Sequence, residues 1–346
     1  MTAKAGKPPL AAIFGCAGPR LLASERAFFR ETDPAGFILF ARNIESPPQV
    51  RALVEDLRNS SGRPEALVLI DQEGGRVARL TPPHWRTAPA AGRFGALAGR
   101  DMACGRRATW LNARLLADDL AALGISVDCL PVLDLRHPGA HDIVGDRSYG
   151  VDVDTVSILG EAACEGLMEG GVLPVLKHIP GHGRAIADSH HELPVVAADR
   201  EALDVSDFEP FRRLARMPLA MTAHIVYEKI DPSHPATTSS AVIGEVIRES
   251  IGFDGLLITD DLSMKALGDE FPDRTSGALA AGCDVVLHCN GNRDEMEQVA
   301  AGARPLDERG LRRYQRAGAA IRAPEPFDRQ AALAEFSGLL GRMEGV

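Results

Sequence analysis

Within fourteen residues, the stretch Lys177-His-Ile-Pro-Gly-His-Gly-Arg-Ala-Ile-Ala-Asp-Ser-His190 gathers Lys177, His178, His182, Asp188 and His190. It starts on an apolar run, so these groups crowd the end of a predicted strand, where polar clustering costs stability and points to chemistry. Asp188 and His190 are two positions apart in the chain, and in an extended loop their side chains point the same way. A carboxylate so placed fixes the tautomer of the ring and favours its protonated form. Such a histidine can give a proton to a departing oxygen and later take one from water. A second apolar run ends in Ile-Thr-Asp260-Asp261-Leu-Ser, and a third in Asp71-Gln-Glu73-Gly-Gly-Arg76-Val-Ala-Arg79. A carboxylate at a strand end, such as Asp260, can act as a nucleophile or stabilise developing positive charge. Lys177, His178, Arg79 and Arg147 (in Gly145-Asp-Arg-Ser148) supply donors around acceptors such as Asp71, the set that a pocket for a hydroxyl-rich ligand needs.

Eight short apolar segments precede or carry these groups: Leu10 to Phe14, Gly36 to Phe40, Ala66 to Ile70, Ile125 to Leu133, Leu173 to Leu176, Leu219 to Ala223, Gly255 to Thr259 and Asp284 to His288. Each is too short for an ordinary helix. Between them run amphipathic stretches. Leu111, Leu115, Leu116, Leu120 and Leu123 recur at helical spacing from Trp110 to Leu123, with Gly124 as a stop. A second helix is predicted over Thr155 to Met168, ahead of Gly170 and Gly171, and a third over Phe208 to Arg216, before Pro218. Alternation of strand and helix is the pattern of parallel βα units, and eight of them predict a closed (β/α)8 barrel, an α/β fold whose strands carry catalytic groups where they end. Asp71, Asp134, Lys177, His178, His224 and Asp260 all fall at such ends. A single domain is expected over residues 1–346, with the Arg-rich tail after about 305 forming terminal helices. Pro174 is awkward in a central strand unless it lies near its start.

The 346 residues are 45% apolar and 25% charged, the usage of a globular protein with a large core. A net charge of -10 argues against a nucleic-acid partner, which clustered Lys and Arg would bind. The opening residues lack a continuous apolar segment, and no apolar run approaches the roughly 18 residues that span a bilayer. A cytoplasmic monomer without membrane contact is expected. The six cysteines are scattered without a Cys-x-x-Cys pair, as reduced buried thiols would be.

Rival readings exist for the same residues. Asp260-Asp261-Leu-Ser can simply open the following helix as an N-cap, a role that suits Asp261 better. Asp188 to His190 can be an ordinary solvated loop, and His182 can merely shape its turn. His178, His182, Asp188, His190 and Asp260 together can form a hydrolytic metal site on the same barrel, in which case a chelator abolishes activity. There is no His-Glu-x-x-His, no phosphate loop and no Gly-x-Ser-x-Gly elbow.

Taken in order, Asp71-Gln-Glu-Gly-Gly-Arg-Val, Gly-Asp-Arg147-Ser, Lys177-His-Ile-Pro-Gly-His-Gly, Asp188-Ser-His190 and Thr-Asp260-Asp-Leu-Ser-Met264 make the chain similar to family 3 glycoside hydrolases, specifically the bacterial β-N-acetylhexosaminidase branch. The resemblance runs from about residue 10 to about residue 300. It implies a retaining exo β-N-acetylglucosaminidase that needs no cofactor or metal. Asp260 would be the nucleophile, His190 the acid/base and Asp188 its partner, with Asp71, Arg79, Arg147, Lys177 and His178 binding the N-acetylglucosamine ring. Ile179 stands where the family often has Phe. The resemblance also implies a muropeptide substrate, N-acetylglucosamine joined β-1,4 to anhydro-N-acetylmuramic acid, met in cell-wall recycling. Some relatives are thought to use phosphate in place of water, so an N-acetylglucosaminide phosphorylase is the variant within the family.

Overall fold

The computed structural model describes residues 7–139, 142–185, 193–268 and 270–341. Eight parallel strands close on one another: β1 (Leu10–Phe14), β2 (Pro34–Leu39), β3 (Leu67–Ile70), β4 (Val127–Asp128), β5 (Leu173–Ile179), β6 (Leu219–Thr222), β7 (Leu256–Asp261) and β8 (Val285–His288). Each pairs with its sequence neighbours, and β8 returns to β1 through Phe14 opposite His288. The fold is the expected (β/α)8 barrel. Its strands read as unbroken apolar runs because both faces are covered, the inner by other strands and the outer by helices. All five residues Leu173, Val175, Leu176, Leu219 and Ala220 are essentially inaccessible to solvent.

Two segments differ from the sequence expectation. The run Ile125 to Leu133 keeps only Val127 and Asp128 as a strand. The chain then turns, yet it stays stitched to β5, since the Leu133 amide donates to the Lys177 carbonyl at 2.7 Å and the Lys177 amide to the Pro131 carbonyl at 3.1 Å. Proline at 131 lacks an amide hydrogen, so regular pairing stops there while the neighbours still bond. The helix foreseen over Phe208 to Arg216 is only Glu209–Arg213. Residues 214–216 are taken by tighter turns, the Ala215 amide donating to the Arg212 carbonyl at 3.3 Å and the Met217 amide to the Leu214 carbonyl at 3.0 Å, which apolar periodicity does not register. Pro174 sits second in β5, opposite Asp128, near the strand start as required.

The long helices Met102–Ala121 and Val153–Glu169 begin at Asp101 and Asp152, whose side chains accept the amides of Cys104 and Thr155. They pack closely because Gly166 lacks a side chain: a Cβ there would lie 2.5 Å from the Trp110 carbonyl oxygen. The tail forms helices Glu308–Ala320 and Arg329–Gly341. Tyr314 of the first donates to the Ala35 carbonyl at 2.8 Å, and Arg329 of the second grips Asp118 and Asp119. No helix of the described residues is long and apolar enough to cross a membrane.

Candidate active site

The strand ends of the barrel enclose a cavity of about 200 Å³ lined by Asp71, Glu73, Arg79, Arg147, Lys177, His178 and Asp260, among others. Residues from each of β2 to β8 or the loops after them meet here, on the face where barrel enzymes place chemistry. A larger cavity of about 660 Å³, with Arg58, Tyr314 and Gly171 in its wall, opens at the opposite end and gathers no acid/base cluster. Polar convergence, not volume, decides between them.

Lys177 is the hub. Its side chain is only 2% exposed, and Nζ lies 3.0 Å from Asp71 and 2.6 Å from Glu73. Asp71 is held from its other side by Arg79 at 3.0 Å, and Glu73 by both arms of the Arg147 fork at 2.8 Å. Burial alone would raise both carboxyls, but Lys177 with Arg79 outweighs it at Asp71, and Arg147 with Lys177 does so at Glu73. Asp71 falls well below the usual carboxylate range and Glu73 to about 2, so both stay ionised, and the same anions hold Lys177 charged although burial opposes it. The Gln72 side chain braces this loop, taking the Arg79 and Leu80 amides on its oxygen and donating to the Leu80 carbonyl.

A second buried carboxylate, Asp134, follows β4 with no exposed surface. It accepts the His178 ring Nδ1 at 2.7 Å, the His178 amide at 3.2 Å and the His182 amide at 2.6 Å. Burial would raise this carboxyl, yet the His178 ring and the His182 amide carry it down to about 2. The bond at Nδ1 sets the orientation of the His178 ring, which lines the cavity. His182 is therefore more than a turn residue: its ring stacks edge-on at 5.5 Å from that of His178, and burial lowers its pKa to about 4. The chain can fold back here because residue 183 is glycine; a Cβ would lie 1.8 Å from the Leu135 carbonyl oxygen.

Asp260 stands at the end of β7, half-buried, with Oδ1 accepting the Asp261 amide at 2.8 Å. Burial pushes its carboxyl up, but the His178 and His224 rings, the Asp261 amide and Lys177 together hold it below the ordinary aspartate value. It is an ionised carboxylate facing a small cavity, which is what a nucleophile toward an electron-poor carbon requires. His224 Nε2 donates to the Asp261 carbonyl at 3.1 Å, and Nδ1 shares a hydrogen bond with the Thr237 hydroxyl at 2.7 Å. Burial lowers the pKa of His224, against the pull of the Asp260 carboxylate and the Asp261 carbonyl. Asp261 does not cap a helix, since the next one starts at Phe271; its carboxylate ties the Ser263 and Cys289 amides and so joins β7 to the loop after β8.

Asp71, Arg79, Arg147, Lys177, His178 and Asp260 thus come together as the sequence suggested, while Asp188 and His190 lie outside the described residues. The described residues before and after them are held by partners elsewhere in the chain. Arg184 pairs with Asp207 at 2.6 Å, and Val195–Val196 runs parallel to Val226–Tyr227 in a small separate ladder. Glu73 and Asp134 acquire their importance only in three dimensions. The first was visible as part of the Asp71-Gln-Glu motif, the second only as a carboxylate at a strand end. Among the described residues no three His, Cys, Asp or Glu side chains converge as a metal cage.

A parallel eight-stranded barrel with an ionised carboxylate at one strand end, next to cation-locked acceptors, fits a carbohydrate-active hydrolase, and the relatives of the chain are such enzymes. The model of the glycosyl hydrolase family 3 N-terminal domain matches residues 18–309. A β-hexosaminidase of Alkalilimnicola ehrlichii is 41% identical over 282 residues, 80% of either chain, and one of Thioalkalivibrio sulfidiphilus is 39% identical over 297 residues, 84% of this chain and 82% of that protein. The crystal structure of native NagZ from Neisseria gonorrhoeae superposes with a TM-score of 0.86 at 31% identity, covering 96% of this chain and 98% of that one. The chain belongs to glycosyl hydrolase family 3 and, within it, with the β-hexosaminidases.

Proposed function

We propose that the protein is a retaining exo β-N-acetylglucosaminidase that releases terminal N-acetylglucosamine by double displacement. The observation that carries this is the Asp260 carboxylate, ionised and facing a cavity of single-sugar size beside the Asp71–Lys177–Glu73–Arg147 network. The network offers fixed acceptors and donors to ring hydroxyls, and its size admits a terminal sugar rather than an internal one. A second NagZ structure from Neisseria gonorrhoeae was solved with N-trifluoroacetyl-D-glucosamine, which supports an N-acylated glucosamine ring for this site.

In the first step an Asp260 oxygen attacks the anomeric carbon, the bond to the leaving oxygen breaks, and that oxygen takes a proton from His190. In the second, water attacks the same carbon, His190 takes its proton, and the Asp260 carboxylate is freed with configuration retained. Asp188 orients and charges the imidazole. Asp71, Arg79, Arg147, Lys177 and His178 hold the sugar. The leaving group is anhydro-N-acetylmuramic acid of a cell-wall fragment, and the work is done by one barrel domain acting as a monomer in the cytoplasm. Cys16, Cys129, Cys164, Cys283 and Cys289 are buried thiols, which suits a reducing compartment.

Trapping with a fluorinated N-acetylglucosaminyl donor, followed by peptide mass analysis, tests the reading. Asp260 is expected to carry the label, and Asp260→Ala to cut hydrolysis of an aryl N-acetyl-β-glucosaminide on the order of 10⁴-fold or more. A label on another carboxylate, or turnover without any adduct in the mutant-sensitive step, would overturn the assignment of Asp260.

A further inference from the structure

Asp128, the last residue of β4, is fully buried beneath the cavity and is not used in the chemistry above. Its Oδ1 accepts the Gln72 amide at 2.9 Å, while Oδ2 is buried without a hydrogen-bond partner. Gln72 lies between Asp71 and Glu73, so the bond that fixes its amide also fixes where both carboxylates start. The charged and titratable groups that face Asp128 are Asp71 and Glu73 from the end of β3, Lys177 from β5, Cys129 beside it in the chain, and Tyr149 from the loop before the Val153–Glu169 helix. Lys177 is the one cation among them, and its ammonium is already bonded to Asp71 and Glu73. Arg79 and Arg147 already hold Asp71 and Glu73 from their far sides and neither reaches Asp128, so an ionised Asp128 would be a buried anion with one donor on Oδ1 and none on Oδ2.

We propose that Asp128 is a positioning residue held as an uncharged carboxylic acid, which anchors the Gln72 amide and thereby sets Asp71 and Glu73 against Lys177. An acid in this place keeps the acceptor that Gln72 needs while adding no charge. Burial pushes its carboxyl up to about 8, against the pull of the Gln72 amide and Lys177 and with the push of Asp71 and Glu73. Ionisation above that pH sets a new anion beside the two carboxylates and loosens their grip on Lys177. The kinetic side of the inference rests on the reading that Asp71 and Lys177 hold the sugar; the state of Asp128 does not.

Infrared spectra of the whole protein, wild type against Asp128→Asn, test the state directly and need no substrate. A protonated-carboxyl carbonyl band is expected at pH 7 in the wild type only, fading as pH rises with a midpoint near 8. No band in the difference spectrum at pH 7 overturns the proposal, and a band that does not titrate below pH 10 overturns the alkaline loosening of the Lys177 network. The positioning role is read from KM for an aryl N-acetyl-β-glucosaminide. It is expected to rise severalfold from pH 7 to pH 9 in the wild type and to stay level in Asp128→Asn, which supplies an uncharged acceptor. Asp128→Leu, which strands the Gln72 amide, is expected to raise KM by about tenfold at every pH. An Asp128→Asn enzyme with the wild-type alkaline rise rejects the positioning role even if the band titrates. A titrating band together with a Lys177→Met variant of normal KM would instead reject the sugar-binding reading.

Discussion

Replacing Asp134 by asparagine probes how the His178 ring is held. The carboxylate serves three donors, the His178 ring at 2.7 Å and the amides of His178 and His182, and it has no contact with solvent. Asparagine keeps one oxygen but turns an NH₂ toward these donors, so at least one buried N–H loses its acceptor, at about 1 to 3 kcal/mol. The bond to the imidazole also weakens from a charge-assisted to a neutral one, for roughly another 1 kcal/mol. The expected loss is therefore about 2 to 4 kcal/mol, and with an unfolding entropy of about 0.7 kcal/mol/K for a chain this long, Tm falls by about 3 to 6 °C. The sign with pH follows from the folded-state carboxyl at about 2, below its unfolded value. The wild-type advantage is complete above the unfolded pKa of about 3.9 and is lost as pH falls toward 2. Thermal unfolding followed by circular dichroism should show a constant gap between wild type and Asp134→Asn from pH 5 to 8, narrowing below 4. Activity on an aryl N-acetyl-β-glucosaminide should drop between about tenfold and a hundredfold through the misplaced His178 ring. A Tm change under about 1 °C, or a gap that widens on acidification, refutes the account of Asp134 as the buried anchor of both residues.

Two further substitutions address the chemistry and the sugar site. His190→Ala is expected to slow substrates with poor leaving groups far more than activated aryl glycosides, because only the former need the proton. Equal loss across a leaving-group series measured by kcat/KM counts against the acid role. Lys177→Met removes the ammonium shared by Asp71 and Glu73 while conserving much of the volume, and KM should rise on the order of tenfold to a hundredfold. An unchanged KM in Lys177→Met would show that the network supports the fold without touching the sugar.

The eight strands and the convergence of Asp71, Lys177, His178 and Asp260 were legible because burial on both faces writes strands as apolar runs and chemistry falls where they stop. Partnerships across long separations were not. Glu73 meets Arg147 and Lys177, Asp134 meets His178 and His182, and Asp128 meets Gln72 across 56 positions, and no local pattern marks any of them. Asp261 looked like a helix cap since Asp-Asp-Leu-Ser has that composition, but its carboxylate is taken by the Ser263 and Cys289 amides. The strand predicted to Leu133 ends early for a similar reason, as the backbone after Asp128 leaves regular pairing at Pro131 and bonds with β5 at Leu133.

The seam between β1 and β8 has a consequence for biosynthesis. Phe14 cannot meet His288 until about 270 further residues have been made, which at ribosomal speeds takes on the order of 15 to 55 seconds. Throughout that interval the edge of the first strand waits on the ribosome without its permanent neighbour, a template for stray pairing. Expression yield should therefore respond to chaperone supply and growth temperature more than to substitutions at the cavity, since closure of the ring, rather than assembly of its mouth, is the late event in the life of the nascent chain.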